Sequence, residues 1–409
     1  MNNKVITIAS AAGLALVALF AAAVGTAGGP GSRAHAAKPP KLPTATPGPS
    51  APLDGGWIYY GAYLHTDDAN VMHRISPDGT VGELVPGAPA NNGSADPSWG
   101  VPSVLPHDGD RWYLAHTPFN NDIVFPNIAA EGRAREIEVV REGAPGITLT
   151  ANRAACIFAW SIPVWVRSAS GTPDAAIAWS GAQWADLDGD PAGDCETLVS
   201  GGIFRADLLY DGSGAITGMA PPALVVPVPV RADNTPNADW ISWSPDGASV
   251  VYPRTSDGLY VAAVGGSLAS QVRIVTGHYH HVGWSADQDP GTAGLQTTIA
   301  FTGSSSNFSK RGVWSIQPNG GGLKLLAEAK QGKNSSQPSY IHADLYWSPA
   351  GTHLAYREHG YGGSLGFLGV HSLRRMAANG SGNVVLVMDS ATLKLARITG
   401  WADVDAPAP

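Results

Sequence analysis

Residues Trp240–Gly266 read WISWSPDGASVVYPRTSDGLYVAAVGG. The stretch predicts three short strands and two turns. Ile241-Ser242-Trp243 is a strand that ends in Ser244-Pro245-Asp246-Gly247. Proline sets φ at the second position of that turn and glycine accepts a positive φ, so the chain reverses tightly. Ser249–Tyr252 is a β-branched and aromatic run, Asp257-Gly258 turns the chain again, and Leu259–Val264 alternates into the small-residue turn Gly265-Gly266. One such unit cannot bury both of its faces, so the fold depends on whether the phrase recurs.

It does recur. VGWSADQ at Val282–Gln288 is followed by TIAF at Thr298–Phe301, VWSI at Val313–Ile316 and PNGG at Pro318–Gly321. LYWSPAG at Leu345–Gly351 is followed by HLAYRE at His353–Glu358 and ANGSG at Ala378–Gly382. Upstream, ISPDG at Ile75–Gly79, AAEG at Ala129–Gly132 and YDGSG at Tyr210–Gly214 match the late turn. Taking Gly79, Gly132, Gly212, Gly265, Gly320 and Gly380 as markers, the intervals are 53, 80, 53, 55 and 60 residues. Five near-regular intervals, one of them holding an insertion, imply six units.

Composition agrees with many short strands. Charged residues make up 14% of the 409, against roughly 25% in a typical soluble domain. Gly 50 and Pro 32 make the chain turn-rich, and Trp is abundant at 13. A net charge of −8, with Lys and Arg totalling 25 in no basic stripe, argues against nucleic-acid binding.

Residues 1–36 read as a secretory signal peptide. Lys4 is the positive start, Val5–Gly25 is apolar, and Ala34-His35-Ala36 offers small residues for cleavage. The apolar run is near the length that spans a bilayer, so an uncleaved N-terminal anchor is the competing reading, and the only membrane contact expected. Residues 37–55 form a Pro-rich linker (KPPKLPTATPGPSAP at Lys38–Pro52), extended and solvated. The folded domain is expected at 56–409. Its first unit has three strands near Trp57–Tyr63, Val71–Ile75 and Val81–Val85. The orphan strand Ile398–Val404, with Trp401, supplies the missing one, a closure that leaves no open edge between first and last units.

Trp-Ser-Pro-Asp-Gly, a β run, Gly-Leu-Tyr-Val and a small-residue turn together resemble the TolB-type (WD40-like) propeller repeat, over about Trp57 to Val404. The resemblance implies an all-β, six-bladed β-propeller. It also implies a choice of roles, because such propellers occur in periplasmic binding proteins, beside peptidase domains, and in oligogalacturonate lyases. The fold therefore decides little about function.

In a propeller the first strand of each blade lines a central channel. Alignment on Trp243, Trp284 and Trp347 places Asp239, His280, His281, His342 and Asp344 at the starts of those strands, with Arg357 and His359 in a loop on the same rim. These seven residues are expected to face one shared cavity. Three or more neutral imidazoles would suit a transition metal. Imidazole with Arg would instead suit a carboxylate sugar or a peptide C-terminus. The plainest alternative is a set of solvated loop histidines. Asp186, Asp188, Asp190 and Asp194, with Gly189 for the turn, have the alternate spacing of a calcium loop but lack the twelfth-position Glu of an EF-hand. Cys156 and Cys195 are the two cysteines, and an isolated pair in an exported chain is expected to form a disulfide. The favoured reading is an exported, non-enzymatic module that binds a protein, peptide or glycan at the rim, secreted or in the cell envelope. The alternative is a metal-assisted polysaccharide lyase of the oligogalacturonate type, from the likeness of His278–Trp284 and Ala355–Gly360 to uronate lyase loops. Arg357 or His359 would then be the base.

Overall fold

The computed structural model describes residues 55–64, 69–85, 103–105, 113–116, 137–141, 147–149, 157–159, 161, 163–167, 175–185, 197–211, 216–232, 235–286, 297–307, 309–333, 337–362, 369–390 and 393–402. They all belong to the unit Pro47–Pro409. Residues 1–36, most of the linker, Cys156, Cys195, Asp186, Asp188, Asp190 and Asp194 lie outside the described residues. Among those described, no helix is long and apolar enough to cross a membrane.

The described chain is built of strands. β1 (Trp57–Leu64), β2 (Ala69–Ile75) and β3 (Gly82–Leu84) begin it. β4 (Ser103–Leu105), β5 (Tyr113–His116), β6 (Ile137–Arg141) and β7 (Ile147–Leu149) form a four-stranded antiparallel sheet. The next sheet has six strands: β8 (Ile157–Ala159), β9 (Val164–Arg167), β10 (Ala175–Ala185), β11 (Thr197–Tyr210), β12 (Ile216–Met219) and β13 (Ala223–Pro227). A seven-stranded sheet follows, made of β14 (Ser242–Trp243), β15 (Ser249–Arg254), β16 (Gly258–Ala263), β17 (Val272–Trp284), β18 (Ile299–Ser305), β19 (Arg311–Ile316) and β20 (Lys324–Glu328). The last is β21 (Ser339–Trp347), β22 (His353–Tyr361), β23 (Val370–Ala377) and β24 (Val384–Met388). β25 (Leu393–Ala402) then returns to pair with β1, from Trp57↔Ala402 to Leu64↔Leu393, giving the order β25-β1-β2-β3.

The seven-stranded sheet is two four-stranded groups sharing one strand. The first half of β17 pairs with β16 and the second half with β18. Every pairing is antiparallel between near neighbours in sequence, apart from β25 with β1. The result is an all-β, propeller-like arrangement.

Local chemistry explains the repeat. The late-turn glycines Gly79, Gly265, Gly320 and Gly380 have φ of 79°, 78°, 86° and 86°, a region glycine enters without steric cost. The serines after the three marker tryptophans tie the first turns. Ser244 Oγ accepts from the Ser249 N–H at 2.9 Å, Ser285 Oγ from the Thr298 N–H at 2.9 Å, and Ser348 Oγ from the His353 N–H at 2.9 Å. Gly258 and Gly312 open equivalent strands, β16 and β19. A Cβ at either would collide with the carbonyl of Val275 or of Ala327 on the next strand.

The core lies between sheets, not within them. Val226, Ile241 and Tyr252 join the six-stranded sheet to the β14–β16 group. Val251, Phe301 and Trp314 join that group to β17–β20, and Ala300, Leu354 and Tyr356 carry the packing on to β21–β24. Ile58, Leu373 and Trp401 join β21–β24 to the sheet of β25 and β1. Fully burying a side chain such as Phe301 or Ile58 contributes about 1.5–3 kcal/mol, so the stability of each sheet depends on its neighbour.

Candidate functional site

β21 and β22 pair regularly from Ser339↔Tyr361 to Ala343↔Arg357, then resume at Leu345↔Tyr356. Asp344 is the extra residue of this β-bulge, and its φ is +40°. Few residues other than glycine accept a positive φ, and Asp is among them. Strict alternation would put Asp344 on the face of His342. The bulge instead re-aims it, so that its Oδ2 lies 2.7 Å from Nε of Arg357 on the opposite face.

Asp344 has no solvent exposure. Burial alone would raise its carboxyl. Arg357, then His281 and Arg397, and the backbone N–H of Ile398 outweigh that and hold it below the usual carboxylate range. His281, from β17, places Nδ1 3.6 Å from Asp344 Oδ1. Its side chain is 13% exposed. Burial pushes its imidazole down to about 3, and the nearby guanidinium groups push the same way against Asp344, so it is neutral at pH 7. The imidazole packs on Trp240 with ring centroids 4.1 Å apart, and the guanidinium of Arg397, from β25, sits 5.7 Å from the Trp240 ring. Two guanidinium groups, one carboxylate and a neutral imidazole leave a surplus positive charge where β17, β21, β22 and β25 meet. Burial raises the pKa of the Tyr346 hydroxyl, and the charge of Asp344 raises it further.

The other expected site residues fall into separate groups. His342 shares the opposite face of the sheet with Glu358, its Nε2 3.2 Å from Glu358 Oε2, and its ring packs edge-on to Tyr356 at 4.9 Å. Arg374 donates to the other Glu358 oxygen at 3.1 Å. Burial would raise the Glu358 carboxyl, but the His342 hydrogen bond and the Arg374 charge prevail and hold it low. His359 packs tilted against His371, ring centroids 4.2 Å apart, and His371 Nδ1 lies 3.1 Å from Asp389 Oδ2. Asp239 pairs with Arg231 at 2.7 Å. His280 is solvent-exposed and within electrostatic reach of Asp239 and His278. Among the described residues no three His, Cys, Asp or Glu side chains are grouped to hold a metal ion. The imidazoles of the rim therefore do not fit a transition-metal centre.

A cavity of about 340 Å³ lies farther along the same first strands, lined by Trp165, Trp240, Trp243, Trp284, Tyr346 and Trp347 among others. Its lining runs from Trp240 and Val282, next in sequence to Asp239 and His281, to Ser348 and Ala286 at the turns. Sequence reasoning used these tryptophans only as alignment marks. Their recurrence at one strand position was the available signal. Gly362-Gly363-Ser364-Leu365-Gly366 has the Gly-x-Ser-x-Gly spacing, against the expectation from sequence that the chain holds no such pattern. It falls between the ends of β22 and β23 in sequence, and of its five residues only Gly362 is among those described.

No family model and no curated protein matches the chain. Similar solved structures include the hydrazine synthase of Kuenenia stuttgartiensis, 11% identical with a TM-score of 0.44, covering 88% of this chain and 52% of that one. An oligogalacturonate lyase in complex with manganese is 12% identical with a TM-score of 0.38, covering 83% and 76%. A chain of the nidogen/laminin complex is 13% identical with a TM-score of 0.31, covering 47% of this chain; the present chain spans 61% of its length. These likenesses are too distant to carry activity, substrate or metal across.

Proposed function

We propose that the chain is an exported, TolB-like propeller of six blades, closed by β25 against β1, and that it is a non-enzymatic binding module. Its ligand, a peptide, protein or glycan, presents a carboxylate to Arg357 and Arg397. One observation carries this reading: the two guanidinium groups surround a single buried carboxylate beside a neutral histidine. Surplus positive charge in a low-dielectric wall favours an anion, and guanidinium matches the carboxylate fork. The positive φ of Asp344 supports it, since backbone strain of this kind collects at functional positions. The lyase alternative needs a metal, and the described donors do not fit one. Arg357, held against Asp344, is also badly placed to act as a base. No lyase step is therefore derived.

The test is isothermal titration with paired ligands, oligogalacturonate against its methyl ester and acetylated peptides with free against amidated C-termini. The free carboxylates should bind, and Arg397→Gln should weaken them about tenfold or more, the worth of one charge-assisted hydrogen bond. Equal binding of the neutral forms would contradict the reading.

A further inference from the structure

The tryptophan-lined cavity is a second feature, and it meets the charged cluster at Trp240, whose ring lines the cavity and packs on His281. Its size, about 340 Å³, falls at the lower end of small-molecule sites, which are mostly apolar with few polar groups. Three of its indoles are already committed at their polar edge. Trp243 Nε1 donates to the Gly247 carbonyl at 3.1 Å, Trp284 Nε1 to Thr297 Oγ1 at 2.9 Å, and Trp347 Nε1 to the Gly283 carbonyl at 3.0 Å. The three rings are held in place without a ligand and present ring carbon, while the rest of the wall mixes apolar and polar atoms. Gly283 makes room for this. A Cβ there would come within 3.1 Å of Trp347 Cδ1, so the glycine lets the indole of one sheet lie over the backbone of the next.

Charge selects among ligands. No charged side chain lines the cavity among the described residues. An anion or cation taken inside would lose its hydration with no charged side chain among the described lining residues to replace it, Arg397 lying 5.7 Å from the Trp240 ring and outside the lining. Aromatic walls often hold cations, but here Arg397 already lies near the Trp240 ring and the cluster beside Trp240 carries surplus positive charge. A second cation would be repelled. A saccharide would need several hydrogen-bonding groups. The polar side chains of the lining are Ser242, Ser348, the Tyr346 hydroxyl and the tryptophan N–H groups. Ser242 Oγ already accepts from the Trp284 N–H at 2.8 Å, and Ser348 Oγ accepts from the His353 N–H.

We infer that this cavity is a binding site for an uncharged, planar, apolar ring system of about one or two fused rings, held by stacking against fixed indoles. It draws on the rim cluster only for the repulsion of cations and not on what the rim binds.

The test is titration of the purified protein with 2-naphthol and indole, followed by tryptophan fluorescence and calorimetry. Parallel titrations use 2-naphthoate, a naphthyl-trimethylammonium salt and cellobiose. Saturable binding of the two uncharged rings is expected, at least tenfold tighter than either ion or the saccharide. Trp243→Ala should weaken 2-naphthol at least tenfold. If Trp243→Ala does not fold, a crystal of the native protein soaked with 2-naphthol decides the point, with the ring expected between Trp243, Trp284 and Trp347. Tighter binding of cellobiose or of either ion, no saturable binding, or a naphthol ring seated elsewhere would overturn the inference.

Discussion

Lowering the pH from 7 to 4.5 should destabilise the protein through His281 by about 3 kcal/mol. The imidazole titrates at about 3 in the folded chain and near 6.5 when unfolded. Its folded pKa is depressed, so between those values the unfolded chain holds a proton that the folded chain refuses. Stability then falls as pH falls, starting near 6.5 and continuing towards 3. At pH 4.5 two units of that window have been crossed, at about 1.36 kcal/mol each. The cause is burial beside Arg397 and Arg357, which Asp344 does not fully offset. Other groups move the same way: His73 is also lowered by burial, and the Asp344 and Glu358 carboxyls are held low. A variant is therefore needed to isolate the term. His281→Gln cannot titrate, and its loss of packing on Trp240 is the same at every pH. Urea unfolding of both proteins at pH 7, 6, 5 and 4.5 gives the gap between them. The gap should narrow by about 3 kcal/mol towards pH 4.5 in favour of the variant. A gap that stays constant would refute the burial of a neutral imidazole.

Asp344→Asn keeps a side chain that tolerates φ of +40° but leaves the Arg357 charge without its partner. A loss of about 3 kcal/mol is expected in urea unfolding at pH 7, as for broken buried pairs; an unchanged midpoint would show that the pair contributes nothing. Deleting Gly400–Pro409 removes buried Trp401, its N–H bond to the Gly55 carbonyl at 3.2 Å and the first pairings of β25 with β1. The melting temperature should drop and bound hydrophobic dye should rise, whereas identical melting would refute closure by β25. Cys156 and Cys195 should show no free thiol in exported protein. Reducing a bridge over so long a loop should cost on the order of 4 kcal/mol, and two reactive thiols would refute the pairing. Millimolar calcium added to chelator-treated protein should slow proteolysis at Asp186–Asp194 if those carboxylates hold the ion, and unchanged cleavage would leave them a polar turn.

Much of the fold was legible because the repeat is carried by turns. Gly79, Gly265, Gly320 and Gly380 mark positions where the backbone needs a positive φ, and that need is written in the residue itself. The pairing of the last strand with the first was legible from a unit short of one strand and a strand short of a unit. The six-stranded sheet was not. In it, β8 and β9 share β10, and β12 and β13 share β11, so its strands are split and only the late turn at Tyr210–Gly214 keeps the repeat phrase.

The site was less legible for a different reason. The faces taken by Asp344 and His342 depend on a bulge, and alternation in a single strand gives no sign of one. Arg397 was missed because a lone Arg in a terminal strand carries no pattern. Its role arises only when β25 reaches Asp344.

The central claim is that Arg357 and Arg397 form a carboxylate-binding wall in the channel of a six-bladed ring. A crystal structure of the protein with a bound oligogalacturonate or a free C-terminal peptide tests it most directly. The account predicts six blades closed by β25 and a ligand carboxylate within about 3 Å of the Arg397 guanidinium, with His281 neutral beside Asp344. A carboxylate held elsewhere, or an open sheet array, would contradict it.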